Sequence, residues 1–110
     1  MANAKNELHE ILKDRARIKC AKIWHGSYYG GDELPPTFKL LLNYTDSQLE
    51  EFYKSLNFEY DSGYGGQNLF GTVWLDDGTW LSRGEYDGSE WWEHNSLPEI
   101  PTELITHNNN

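Results

Sequence analysis

Four histidines, one cysteine and eighteen carboxylates are the groups in this 110-residue sequence with the most obvious chemical potential. His9, His25, His94 and His107 show none of the short paired spacings of zinc ligands. A single cysteine, Cys20, excludes both an internal disulfide and a cysteine metal cluster. Its neighbours alternate as in a strand, so it reads as a small core residue rather than a nucleophile. Ser27, Ser82 and Ser89 have no sequence context that would place a histidine and an acid beside them. "GYGGQN", residues 63–68, lacks the strand–loop–helix context and the lysine of a phosphate-binding loop, and reads as a surface loop. The carboxylate pairs Asp76/Asp77 and Glu85/Glu90 are of the kind that glycosidases or cation sites use, but no cleft is legible around them. The expectation is a non-enzyme with no metal and no cofactor.

Binding chemistry is better represented. Aromatics make up 15% of the chain, with five Trp, seven Tyr and four Phe, and a few such rings can supply most of a small core. The net charge of −9 is unevenly spread. Residues 1–22 hold six of the nine Lys and Arg and come to +3, so the other 88 residues come to −12. An acidic body lacks the clustered cations that phosphate contacts need, so direct nucleic-acid binding is not expected. It suits a partner with a basic surface, although acidity also serves solubility. The N-terminus has no apolar run of a secretory signal, no stretch reaches membrane-spanning length, and cysteine usage fits a reducing compartment. The expected location is therefore cytoplasmic, away from membranes.

The elements that would position these groups can be read from periodicity. Residues 4–15 predict a helix with Leu8, Ile11 and Leu12 on one stripe and Asn3 or Asn6 as cap. "RIKCAKIWHG" predicts a strand with Ile18, Cys20 and Trp24 on one face. A glycine- and proline-rich loop, 26–36, leads to the strand "TFKLLLNY". Thr45 and Gln48 match a capping box, which opens a helix whose apolar face is Leu49, Phe52, Tyr53 and Leu56. "FEY" predicts a short strand. Asp77-Gly78 and Asp87-Gly88 each predict a two-residue hairpin turn, and Pro98 and Pro101 end the sheet and lay an extended tail over the body. The expected architecture is α+β: two helices packed on a mainly antiparallel sheet that ends in a C-terminal three-stranded meander. It forms one domain, 1–110, with an ordered body to 105 and a frayed tail at 106–110.

Two-residue turns fix a register. Trp74 then faces Leu81, Arg83 faces Trp92, and Glu85 faces Glu90. One face carries Phe70, Thr72, Trp74, Leu81, Arg83, Glu85, Glu90, Trp92 and His94. The other, with Val73, Leu75, Trp80 and Trp91, is expected to lie under the helices. Arg83 beside Trp92 suits a cation–π contact, and Glu85 can pair with Arg83 along the strand. The candidate binding residues are therefore Trp74, Arg83, Glu85, Asp87, Glu90 and Trp92, with Tyr28, Tyr29 and Tyr64 from the two loops as a rim.

"GYGGQNLFGTVWLDDGTW", "RGEYDGSEWWEH" and "PEIP" together resemble small acidic proteins encoded by phages and prophages, over residues 57–103. The resemblance implies an infection-related setting in the host cytoplasm. It also implies a stoichiometric binder of a host enzyme or defence protein, in some cases one that imitates nucleic-acid charge. The expected function is a non-enzymatic module that docks an acidic, aromatic surface on a basic site of a host protein and modulates it. The second reading is a small-molecule or carbohydrate-binding domain that stacks its ligand on Trp and hydrogen-bonds it with carboxylates. The oligomeric state is not legible.

Overall fold

The computed structural model describes residues 2–26, 36–60 and 67–105. Strand β1 (Ala2–Asn3) runs into helix α1 (Ala4–Leu12), where the Asn3 side chain accepts from the Asn6 amide at 3.0 Å and caps the helix. Strands β2 (Ile18–His25) and β3 (Thr37–Leu40) follow. Helix α2 (Asp46–Ser55) opens with the expected capping box: the Gln48 amide donates to Thr45 Oγ1, and the Thr45 amide to Gln48 Oε1. Strand β4 (Glu59–Tyr60) pairs with β1, a partner too short to be legible in the sequence. The meander is β5 (Leu69–Leu75), β6 (Trp80–Tyr86) and β7 (Ser89–Asn95), and a short helix α3 (Thr102–Ile105) follows.

The main sheet has the order β3-β2-β5-β6-β7 and is antiparallel throughout, so the α+β expectation holds. Both helices lie on one side of it, α2 against β3 and α1 against β7. Their apolar stripes supply Ala4, Leu8, Phe52 and Leu56 to the core. The sheet supplies Ile18, Ala21, Ile23, Leu40, Leu69, Val73, Leu75, Leu81 and Trp92.

The second hairpin forms as the sequence predicts. Asp87 (φ 52°) and Gly88 (φ 87°) make the two-residue turn, with Glu85 opposite Glu90 and Arg83 opposite Trp92. The first hairpin differs. The Gly78 amide donates to the Leu75 carbonyl and the Leu75 amide to the Thr79 carbonyl, so Asp76, Asp77 and Gly78 form a three-residue loop with Gly78 at φ +85°. Val73 therefore faces Leu81, and Trp74 faces Trp80. Side chains alternate with period two, so this single-residue slip turns all of β5 over relative to β6 and β7. Leu69, Val73, Leu75, Leu81, Arg83, Glu90 and Trp92 share the helix-covered face. Trp80 and Trp91, expected under the helices, stand on the opposite one.

A second irregularity corrects β2. Its register with β5 shifts between Ile18 and Cys20, so Ile18 joins the core with Ala21 and Ile23 while Cys20 and Trp24 point away from it. The tail also departs from expectation. Leu97, Ile100 and Leu104 stand exposed instead of packing over the body.

Gly71 marks the tightest backbone approach in the sheet. It sits at φ +143°, and a Cβ there would lie 2.4 Å from the Lys22 carbonyl oxygen and 2.7 Å from Ile23 Cα. Neither atom belongs to a flexible side chain, so the central β2–β5 pair would have to separate. Gly71→Ala is expected to lower the unfolding free energy in urea by about 2–4 kcal/mol. Gly78→Ala, with nothing within 4 Å, is expected to cost only about 1 kcal/mol from its positive φ. Equal losses would show that space at Gly71 is not what matters.

Candidate functional site

The residues singled out in the sequence divide between two places. Arg83, Glu90 and Trp92 lie on the covered face and are buried rather than displayed. Trp92 is 7% exposed, and the side chains of Arg83 and Glu90 are 2% and 0% exposed. Arg83 Nη2 donates to Glu90 Oε1 at 2.7 Å and to the Tyr60 hydroxyl at 2.9 Å, and its Nε donates to the Leu69 carbonyl at 3.2 Å. The guanidinium stacks 4.9 Å from the Trp92 ring, which is the expected cation–π pair in a buried setting. Glu90 also accepts from the backbone amides of Asn68 and Leu69 at 2.8 and 2.9 Å. Glu7 reaches in from α1, accepting from the Tyr60 hydroxyl and lying 3.9 Å from Arg83 Nη1.

This arrangement also answers how Glu85 and Glu90 tolerate facing each other. Glu90 turns to Arg83, whereas the exposed Glu85 turns to the turn itself and accepts from the Gly88 amide at 2.9 Å. Glu85 does not pair with Arg83. Asp87 is exposed and serves the turn geometry. Tyr60 is buried, and burial raises its phenol pKa well above the usual value, helped by the hydrogen bond to Glu7 and opposed by the charge of Arg83. The cluster joins β4, β5, β6, β7 and α1. It is enclosed and holds the fold together.

Trp74 belongs to the other place, the face of the sheet on which neither α1 nor α2 lies. Strand alternation puts Cys20, Lys22 and Trp24 of β2 there, with Phe70, Thr72 and Trp74 of β5. From β6 it takes Trp80 and Ser82, and from β7 Trp91, Glu93 and Asn95. Four of the five tryptophans stand on this side, which α1 and α2 leave bare among the described residues, and Trp74 and Trp91 are 43% and 39% exposed. Trp24 stacks on Phe70 across the strand pair, with centroids 5.8 Å apart and planes 5° apart, and Lys22 lies 5.7 Å from the Trp24 ring. Trp91 covers Gly84, where a Cβ would meet its indole at 2.6 Å, and donates from Nε1 to Glu93 at 3.1 Å. A glycine on β6 thus seats the exposed indole of β7.

The pairing register arranges the face in rows. Glu93, Ser82, Thr72, Lys22 and Lys39 are successive cross-strand partners, a polar row with an acid at one edge and two lysines at the other. Asn95, Trp80, Trp74 and Cys20 form the adjoining row. At the lysine edge a shallow apolar groove of about 490 Å³ opens between Cys20, Lys22, Lys39, Leu41, Leu42 and Trp74. Of these residues, only Trp74 is among the sequence-derived candidates. Tyr28, Tyr29 and Tyr64 lie outside the described residues. A signal for the correct face was present: only a three-residue first loop gathers Val73, Leu75 and Leu81 on one side.

Among the described residues, no group of three His, Cys, Asp or Glu converges as a metal site, and no helix is long and apolar enough to cross a membrane. Comparison with protein-family models, with curated proteins and with solved structures gives no match.

Truncating one member of a buried ion pair strands the other charge. Arg83→Met is expected to lose about 3–5 kcal/mol of stability, and Arg83→Met/Glu90→Met clearly less than the sum of the two single changes. Additive losses in urea titrations would show that the two charges are not coupled. The raised Tyr60 pKa contributes stability that is complete below the ordinary phenol value of 10.0 and is lost as pH rises through the folded value. The wild type is therefore expected to lose stability above about pH 10 more steeply than Tyr60→Phe; identical alkaline profiles would contradict this.

Proposed function

We propose that this protein is a non-enzymatic protein-binding module whose docking surface is the bare aromatic face of its sheet. The observation that carries this reading is the one-sided cover: the helices bury one face, and four tryptophans and Phe70 stand on the other. Large exposed apolar patches are uncommon on monomeric proteins, and Trp is among the residue types that dominate interface energies. Arg83 and Glu90, with side chains 2% and 0% exposed, act as internal support in this reading and are not part of the docking surface. The net charge of −9 would speed encounter with a basic partner. In the phage setting that the resemblance implies, that partner is a host protein.

Photo-crosslinking tests this. The chain would be expressed with a benzoylphenylalanine at position 74 or 91, or at the exposed Glu50 on α2 as a control. Protein adducts are expected from 74 and 91 and not from 50. Adducts from all three alike, or from none, would refute the docking surface.

One observation favours carbohydrate as a second ligand class. Trp91 is fixed over Gly84 with the Glu93 carboxylate beside it, a ring and an acceptor of the kind that bind sugar faces and hydroxyls. Under this reading, electrophoresis through gels containing soluble polysaccharides would retard the wild type and not Trp91→Ala. Equal mobility of the two in every gel would exclude it.

A further inference from the structure

We infer that the bare face is occupied by a second copy of the chain, docked face to face about a two-fold axis parallel to β5. The inference rests on the reading of that face as the docking surface. It makes self-association the resident state that any other partner must displace. The argument comes from the order of charges across the sheet.

Two in-plane axes can bring identical sheet faces together. An axis perpendicular to the strands lays β3 on β3 and β7 on β7, and so places Lys39 against Lys39 and Glu93 against Glu93. An axis parallel to the strands reverses the strand order and lays β7 of each copy over β3 of the other. Position along the strands is then preserved, so the polar row meets itself end for end. Glu93 of each copy comes over Lys39 of the other, Ser82 comes over Lys22, and Thr72 meets its own copy near the axis. The row runs acid, two hydroxyls, two lysines, and it is complementary to itself only under the second rotation. Both ion pairs form at once, within the tilt of about 30° at which aligned sheets pack.

The aromatic positions agree with the same axis. Trp74 lies on the central strand, so it packs near its own copy, flanked by the two Trp80 side chains. Trp91, two residues along from Glu93, arrives near Trp24, two residues along from Lys22. The exposed tail follows. It leaves the sheet at Asn95, in the row of Trp80, Trp74 and Cys20, and that position comes over the end of β3 in the other copy, where the apolar groove opens. Leu97 and Ile100, exposed on the isolated chain, then have an apolar groove within reach.

The dimensions set the strength. Five strands about 4.8 Å apart, of four to eight residues each, give a platform of roughly 520 Å² per copy. Twice that lies near the lower limit for stable complexes, so the dimer is expected to be reversible with a dissociation constant in the micromolar range.

Sedimentation equilibrium of the full chain between about 1 and 500 µM tests this, with circular dichroism confirming that each variant is folded. The wild type is expected to pass from monomer to dimer across this range. Glu93→Lys and Lys39→Glu each place like charges together twice and are expected to weaken self-association about tenfold or more. Mixed one to one, the two variants are expected to form a heterodimer, because each reversed charge meets its complement. The double variant E93K/K39E is expected to dimerise like the wild type. A dimer unaffected by either reversal, or a mixture that stays monomeric, would overturn this geometry. A wild type that stays monomeric throughout would overturn the second copy as occupant. Adducts from positions 74 and 91 with other proteins would in that case leave the docking surface standing.

Discussion

The Arg83–Glu90 pair is the interaction around which the fold is arranged. Taking both charges out of water is costly, and their attraction compensates only if the remaining polar atoms also find partners. The chain meets most of that demand from several directions, although Arg83 Nη1 and Trp92 Nε1 stay buried without a hydrogen-bond partner among the described residues. The entry to β5 turns two amides toward Glu90, β4 offers the Tyr60 hydroxyl, α1 offers Glu7, and β7 lays Trp92 against the guanidinium. Residues far apart in sequence are thereby held to one geometry. Such a network stabilises less than apolar packing of the same volume could. What it adds is discrimination, because a register that displaced Glu90 from Arg83 would leave two naked charges beneath a helix.

That discrimination explains which parts of the molecule were legible in the sequence. Local signals were reliable. The capping box of α2, the Asp87-Gly88 turn, the meander and the α+β class all follow from neighbours within a few residues. The errors arose where one residue decides an alternation. Asp77-Gly78 looks like a two-residue turn, yet it closes a three-residue loop, and this turns β5 over. The irregularity after Ile18 does the same to part of β2. Neither requires an unusual residue, so no local pattern flags them. The aliphatic count across strands does, since Leu69, Val73, Leu75 and Leu81 form a single face only in the observed register.

The consequence for the candidate site is a separation of roles. The sequence groups Trp74 with Arg83, Glu90 and Trp92 as one surface. The structure assigns three of these to internal support and leaves Trp74 outside, on the same face as Trp80 and Trp91, for which the sequence predicts cover by the helices. Carboxylates and exposed aromatics are accordingly not gathered on one face as supposed. The bare side carries two lysines and a single acid among its rings, and most of the acidic charge lies elsewhere. Exposed aromatic rings and acidic charge therefore occupy different parts of the surface.

The pairing of β2 with β5 has a kinetic side. These strands form the middle of the sheet, yet Ala21 and its partner Val73 are about fifty residues apart in the chain. The first half, α1 through α2, holds two strands whose central neighbour has not yet been made when they leave the ribosome. Its α2 stripe can close only on β3 until β5 arrives, and the Arg83 network waits for Glu90 and Trp92. Long-range pairing of this kind folds slowly and exposes strand edges meanwhile. The central strand pair can therefore close only once the second half of the sequence has been made, and a chain cut before β7 would lack both Glu90 and Trp92.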